Sequence, residues 1–102
     1  MLPQLSAEQK EKFEELLTNV EVAVNEVWND VQYLNGGEPK ESVRGHFYTT
    51  FSYWHNNKRF DIHVDNQTIS IYKNGLADNT RIHKMQISEN WKQELQDFLK
   101  TI

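Results

Sequence analysis

Three side chains on successive predicted strands, Asp61, Ser70 and His83, have the residue types of a hydrolytic triad. Their order along the sheet places the serine between the acid and the imidazole, whereas the imidazole of a working triad must bridge the other two. The Gly-x-Ser-x-Gly turn that exposes the serine of many hydrolases is also absent from the sequence. We therefore expect no catalytic residues and no enzymatic activity.

Metal and cofactor motifs are equally poorly represented. His63, His83 and Asp61 could in principle hold a metal ion, but cross-strand trios of this kind are usually solvated side chains. Gly36-Gly37 is not followed by the Lys-Ser/Thr pair of a phosphate-binding loop. Without cysteine, the chain has no disulfide, no thiol nucleophile and no all-cysteine zinc site. The sequence predicts neither a metal nor a cofactor.

A different chemistry, recognition of another protein, is favoured by three residues predicted to form one cross-strand row: Trp54, Arg59 and Tyr72. These residue types dominate the energetics of protein interfaces, and an arginine between two rings forms a cation–π sandwich. The alternative is that the row only stabilises a solvated sheet. With Tyr48 and His63 nearby, we predict a partner-binding surface for a different protein or for a second copy of the chain.

An amphipathic helix must precede these strands. Ser6 and Gln9 fit a capping box, and apolar residues then recur at helical spacing: Phe13, Leu16, Leu17, Val20, Val24, Val27, Trp28 and Val31. Asn29-Asp30 is the predicted break, after which residues 31–34 form a short edge strand. The alternative is a helix that continues to Leu34.

Four strands with a period of two follow, predicted at residues 46–54, 58–64, 67–73 and 80–87. Asn56-Asn57 and Asp65-Asn66 are the predicted two-residue hairpin loops. A final helix begins at Ser88 as N-cap, and its apolar stripe consists of Trp91, Leu95, Phe98, Leu99 and Ile102.

The two loops predict a register in which apolar and polar residues separate onto opposite faces. Tyr53 lies opposite Phe60, and Phe60 lies opposite Ile71, whereas Arg59 lies opposite Tyr72. The same count would place Lys84 on the apolar face, so the fourth strand is predicted to be shifted, bulged or at the sheet edge.

These elements predict an α+β fold, a two-layer sandwich of an antiparallel four-stranded meander with a fifth short edge strand as an option. The N- and C-terminal helices cover the Phe60 face, and the other face stays open. A second hypothesis, a small-ligand-binding domain or minor enzyme, uses a cleft between helices and sheet lined by Trp28, Trp91 and Tyr53.

The composition limits the remaining choices. The 102 residues suffice for a single domain, and a net charge of −4 argues against nucleic acid as a partner. An apolar run long enough for a membrane span and a signal peptide are both absent, which predicts a soluble, cytoplasmic protein without membrane association. The acidic face of the first helix is interpreted as solvated surface, with a basic partner as the alternative.

The segment Glu26-Val27-Trp28-Asn29-Asp30-Val31, closing a helix before aromatic strands that contain Phe47-Tyr48 and Phe51-Ser52-Tyr53-Trp54, resembles small bacterial immunity proteins that neutralise nuclease toxins. The likeness covers the first half of the chain. The C-terminal half departs from it by ending in one short helix, and no site residue is transferred. The small size, the acidity, the missing catalytic motifs and the aromatic sheet face lead us to expect an inhibitor or immunity-type protein of bacterial or phage origin that occludes its partner.

Overall fold

The computed structural model describes residues 2–29, 31–41, 46–75 and 78–102, and within these ranges it leaves out the side chains of residues 2–6, 33, 35 and 78. The elements along the chain are α1 (Leu2–Val27), β1 (Gln32–Gly36), β2 (Lys40–Glu41), β3 (Phe47–His55), β4 (Lys58–Asp65), β5 (Thr68–Lys73), a 3-10 turn (Asp78–Thr80), β6 (Arg81–Gln86) and α2 (Trp91–Leu99). The six strands form one antiparallel sheet in the order β1-β3-β4-β5-β6, and β2 also pairs with β3.

Both helices pack on one face of the sheet, which confirms the predicted α+β two-layer fold and the short edge strand β1. The core between the layers draws on α1, α2 and the strands. Its buried apolar side chains are Phe13, Leu17, Val20, Ala23, Val24, Trp28, Phe47, Phe51, Tyr53, Phe60, Ile62, Val64, Ile69, Ile71, Met85, Leu95 and Leu99.

The start of α1 differs from the prediction. The helix begins at Leu2, so Ser6 lies inside it and is not the N-cap. Pro3 is compatible with this start because the first helical turn has no intrahelical use for its missing N–H. Residues 7–12 are exposed and Phe13 is buried, so this part of the helix extends past the core. The end of α1 at Val27 confirms the predicted break, although Asp30 itself lies outside the described residues.

The second helix also begins later than predicted. It starts at Trp91 with Asn90 as N-cap, and the Ser88 hydroxyl accepts the Asn90 N–H in the preceding turn at 3.3 Å. Leu95 and Leu99 are buried as predicted, whereas Ile102 lies beyond the helix and is exposed.

Polar contacts join α2 to the C-terminal end of α1 and to Trp28, which follows it. The indole Nε1 of Trp28 donates to the carbonyl of Leu99 at 3.1 Å. Lys92 Nζ lies 3.1 Å from a carboxylate oxygen of Glu26, and Gln96 donates to the same carboxylate at 2.9 Å. The hydrogen bond from Lys92, followed by that from Gln96, holds the pKa of Glu26 below its usual value. The helices are therefore fixed to each other as well as to the sheet.

The first hairpin confirms the prediction. Tyr53 lies opposite Phe60, and Trp54 lies opposite Arg59. Asn56 and Asn57 adopt φ values of 53° and 62°, the left-handed conformation that a tight type I′ loop requires at both central positions. Asparagine tolerates this conformation better than most residues, which is why the loop could be located from the sequence.

The predicted register of the second hairpin is wrong. Asp61 lies opposite Tyr72 and not opposite Ser70, and Phe60 lies opposite Lys73 and not Ile71. The loop is Asn66-Gln67, one residue further along than predicted. Moving the loop by one residue moves each cross-strand partner by two, so every side chain keeps its predicted face.

The side chain of Asp65 accounts for this shift. Its carboxylate accepts the backbone N–H groups of Gln67 at 2.8 Å and Thr68 at 2.7 Å, and the Thr68 hydroxyl at 3.0 Å. An aspartate that caps the turn in this way belongs at the end of the strand and not inside the loop.

The last strand confirms the predicted irregularity. Its register with β5 shifts between Ile71 and Tyr72, and Lys84 consequently lies opposite Ser70 on the polar face. His83 points instead to the helix side, where its ring stacks on Phe98 at a centroid distance of 4.2 Å.

A substitution at Phe60 tests the packing of the helices on the sheet. It is buried against Trp28, with ring centroids 5.1 Å apart. We expect Phe60→Ala to lower the free energy of unfolding by about 3–5 kcal/mol because it removes a large buried ring and leaves a cavity. Chemical denaturation measures this loss, with Trp54→Ala on the opposite face as the matched aromatic control. An unchanged midpoint for Phe60→Ala would contradict the fold.

Candidate functional site

The sheet face opposite the helices is called here the open face. Its side chains on β3, β4, β5 and β6 include Tyr48, Thr50, Ser52, Trp54, Arg59, Asp61, His63, Ser70, Tyr72 and Lys84. It includes all five residues predicted to bind a partner. Trp54 and Tyr48 are 42% and 36% exposed, large values for aromatic side chains. His63 and Tyr72 are half-buried.

The predicted row of Trp54, Arg59 and Tyr72 is not formed. Trp54 does lie opposite Arg59, but the cross-strand neighbour of Tyr72 is Asp61. Because of the register of the second hairpin, the guanidinium has no second ring opposite it, and it turns to the carboxylate of Asp61 instead. The predicted cation–π sandwich is therefore replaced by an ion pair.

The ion pair is centred on a fully buried carboxylate, with Asp61 at 0% exposure. Arg59 Nε lies 3.2 Å from Oδ2, and Nη2 lies 3.2 Å from Oδ1. The hydroxyl of Ser52 donates to Oδ1 at 2.5 Å and accepts from Arg59 Nη2 at 3.3 Å. A buried charge is tolerated only when it is paired and hydrogen-bonded, and these contacts meet that requirement.

The hydrogen bonds of Arg59 use only part of its guanidinium group. A guanidinium has five N–H donors, and the described contacts of Arg59 use those on Nε and Nη2. In the described part of the chain Nη1 has no hydrogen-bond partner, and 48% of the side chain is exposed. The arginine is thus fixed from below while Nη1 remains free to bind.

A groove of about 420 Å³ runs along this part of the open face, between Arg59 and the segment that joins β1 to β2. Its floor is polar and its rim includes Tyr48, Glu38 and Lys40. Gly36 lets the joining segment lie against β3: it has a φ of +107°, and a Cβ there would lie 1.8 Å from the carbonyl oxygen of Thr50. Only glycine fits this approach.

A second cluster stands at the other end of the face. The rings of Tyr48 and His63 lie 6.0 Å apart at an angle of 35°. His63 Nδ1 is hydrogen-bonded to the hydroxyl of Thr50 at 3.1 Å, which orients the imidazole. Aromatic area therefore lies on both sides of the Arg59 ion pair.

The structure separates the residues considered for catalysis and for metal binding. His83 lies on the helix side of the sheet against Phe98, away from Asp61. Ser70 lies opposite His63 and not opposite Asp61. Neither the triad nor the trio of His63, His83 and Asp61 is assembled. Across the described residues, no three acidic or histidine side chains converge in the arrangement that a metal ion requires.

Two of the three residues predicted to line a ligand cleft belong to the core. Trp28 and Tyr53 are both buried and meet edge to face at 6.3 Å. Trp91 is partly buried against the same core. Of the surface that the structure does assemble, sequence reasoning missed the joining segment at Gly36. The sequence analysis also interpreted Asp61 as a solvated group. Its position opposite Ser52 in the first hairpin was the signal for a hydrogen-bonded carboxylate.

No helix in the described part of the chain is long and apolar enough to cross a membrane. No family model, no curated protein and no solved structure matches this chain. The geometry of the open face is therefore the basis for a functional proposal.

The Asp61–Arg59 pair predicts unequal effects of two substitutions. Arg59→Ala leaves the buried carboxylate with Ser52 alone, and we expect a loss of about 1–3 kcal/mol in the free energy of unfolding. Arg59→Lys retains a cation for Asp61, and we expect it to lose less than about 1 kcal/mol. Urea denaturation of both variants measures the difference. Equal stability of Arg59→Ala and the wild type would show that the pair does not support the fold.

Proposed function

We propose that this chain is a small, acidic, non-enzymatic protein-binding domain and that its contact surface is the open face. The observation that carries the proposal is the exposure of Trp54 and Tyr48 on a sheet face that neither helix covers. Tryptophan, tyrosine and arginine account for most of the binding energy in protein interfaces. Here all three types lie on one sheet face, and Tyr48 and Arg59 line its groove.

The rigidity of this surface supports the same function. Arg59 is fixed by Asp61 and Ser52, and His63 is oriented by Thr50. Side chains held in place before binding lose less conformational entropy when a partner arrives, and more of the contact energy becomes affinity. Because the face consists of neighbouring strands of one sheet, its backbone is also ordered in advance.

Within this proposal, the protein is an inhibitor or immunity-type protein of bacterial or phage origin that acts in the cytoplasm. It occludes the surface of a different protein by stoichiometric binding, with no catalytic step. The small size of the chain and the aromatic open face support this mode of action. A second copy of the chain is the alternative occupant of the face.

A photo-crosslinking experiment identifies the partner and locates its contact. A photoreactive phenylalanine analogue replaces Trp54 in one variant and Val22, an exposed apolar residue of α1, in a matched control. In cytosol of the native host, we expect a discrete adduct with a different protein from position 54 and none from position 22. An adduct only with the chain itself indicates self-association, and an adduct from position 22 alone contradicts the proposed surface.

With the partner in hand, affinity measurements test the energetics. We expect Trp54→Ala to weaken binding by roughly 30-fold or more, which corresponds to about 2 kcal/mol, while the thermal midpoint changes little. Glu14→Lys, on the exposed side of α1, is the control and should leave affinity unchanged. The reverse result, with Glu14→Lys losing affinity and Trp54→Ala binding like wild type, would make the acidic helix the working surface.

A further inference from the structure

We infer that the partner presents an acidic side chain to the groove beside Arg59 and an apolar side chain to Trp54. This inference rests on the proposed function, because it assumes that the open face binds a protein. It adds the chemistry that the partner must carry.

The free N–H donors of Arg59 favour an acidic group on the partner. Asp61 and Ser52 engage Nε and Nη2, and Nη1 has no hydrogen-bond partner in the described part of the chain. A cationic N–H group forms its strongest hydrogen bonds with a carboxylate. Since the ion pair holds the guanidinium in one orientation, the direction of approach to Nη1 is set before binding.

The charges around the groove also favour an acidic group. Lys40 lines it, is exposed and has no ion-pair partner among the described residues. Asp61 contributes negative charge, but its carboxylate is buried beneath Arg59 and its oxygens already accept hydrogen bonds. Glu38 is the opposing exposed charge on the rim. The unused donors around the groove thus belong to Arg59 and Lys40. A partner carboxylate would bind at Nη1 of Arg59, and Lys40 adds positive charge further along the groove.

The position of Trp54 favours an apolar residue next to the acid. Trp54 lies directly opposite Arg59 across the β3–β4 pair and is 42% exposed. Burial of an indole in an interface contributes substantial hydrophobic stabilisation. An apolar side chain of the partner close to its acid would cover Trp54 and exclude water from the new ion pair, which strengthens that ion pair.

Selection from a library of displayed 12-residue peptides tests the inference without the natural partner. The immobilised wild-type protein serves as bait, and counter-selection against Trp54→Ala retains only peptides that need the open face. We expect these peptides to be enriched in Asp or Glu next to an apolar residue. Replacing that acid with its amide should weaken binding at least tenfold.

Arg59→Lys is the decisive variant, because it keeps a cation for Asp61 but lacks the outward N–H groups of Nη1. We expect at least a tenfold loss of affinity for the acidic peptide and almost no further loss for its amide counterpart. This non-additivity identifies a direct contact. Lys10→Ala, which removes an exposed cation on α1, is the matched control and should bind the acidic peptide as the wild type does.

The outcomes separate the two proposals. Peptides that require Trp54 but carry no acid, or that bind Arg59→Lys as tightly as the wild type, overturn the inference and leave the proposed binding face standing. If no selected peptide requires Trp54, both the inference and the binding face are overturned.

Discussion

Alternation of apolar and polar side chains along β3, β4 and β5 is the constraint on which the rest of the molecule depends. In a strand, successive side chains point to opposite faces, so Tyr53, Phe60 and Ile71 collect on one side of the sheet. Both helices must bury their apolar stripes against that side, since the other offers no continuous apolar surface. The layer arrangement follows, and the open face is left without a role in the core.

The buried ion pair between Asp61 and Arg59 distinguishes the open face from an ordinary solvated sheet face. A carboxylate at 0% exposure would destabilise the fold if it were unpaired, and the described residues compensate it with Ser52 and Arg59. The same contacts fix the guanidinium at the surface. Stability and surface chemistry are therefore coupled at Arg59, and substitutions there have to be interpreted with a stability measurement beside the affinity.

Parts of this structure could be predicted because they depend on local chemistry or on periodicity. The first hairpin loop was predictable because asparagine tolerates the left-handed conformation that Asn56 and Asn57 adopt. The buried face of α1 was predictable because its apolar residues recur at helical spacing. The start of α1 was misplaced because Ser6 resembles a cap, although the first turn accepts Pro3. The prediction for the sheet was wrong at two aspartates. Asp65 looked like a loop residue but caps the turn from the strand, and Asp61 looked solvated although its neighbours cover it.

The wrong register predicted for the second hairpin distinguishes two properties of a sheet surface: which residues share a face, and which of them touch. Membership of a face depends only on whether a residue is odd or even along its strand, so all five predicted residues lie on the open face despite the shift. Contact within the face depends on register, and the displacement by two residues places Asn74, whose N–H donates to the Arg59 carbonyl at 2.9 Å, where Tyr72 was predicted. The arginine, lacking a second ring, pairs with Asp61 along its own strand. The result is a surface whose central arginine is held by a carboxylate and not by a second ring, with Nη1 outside these hydrogen bonds.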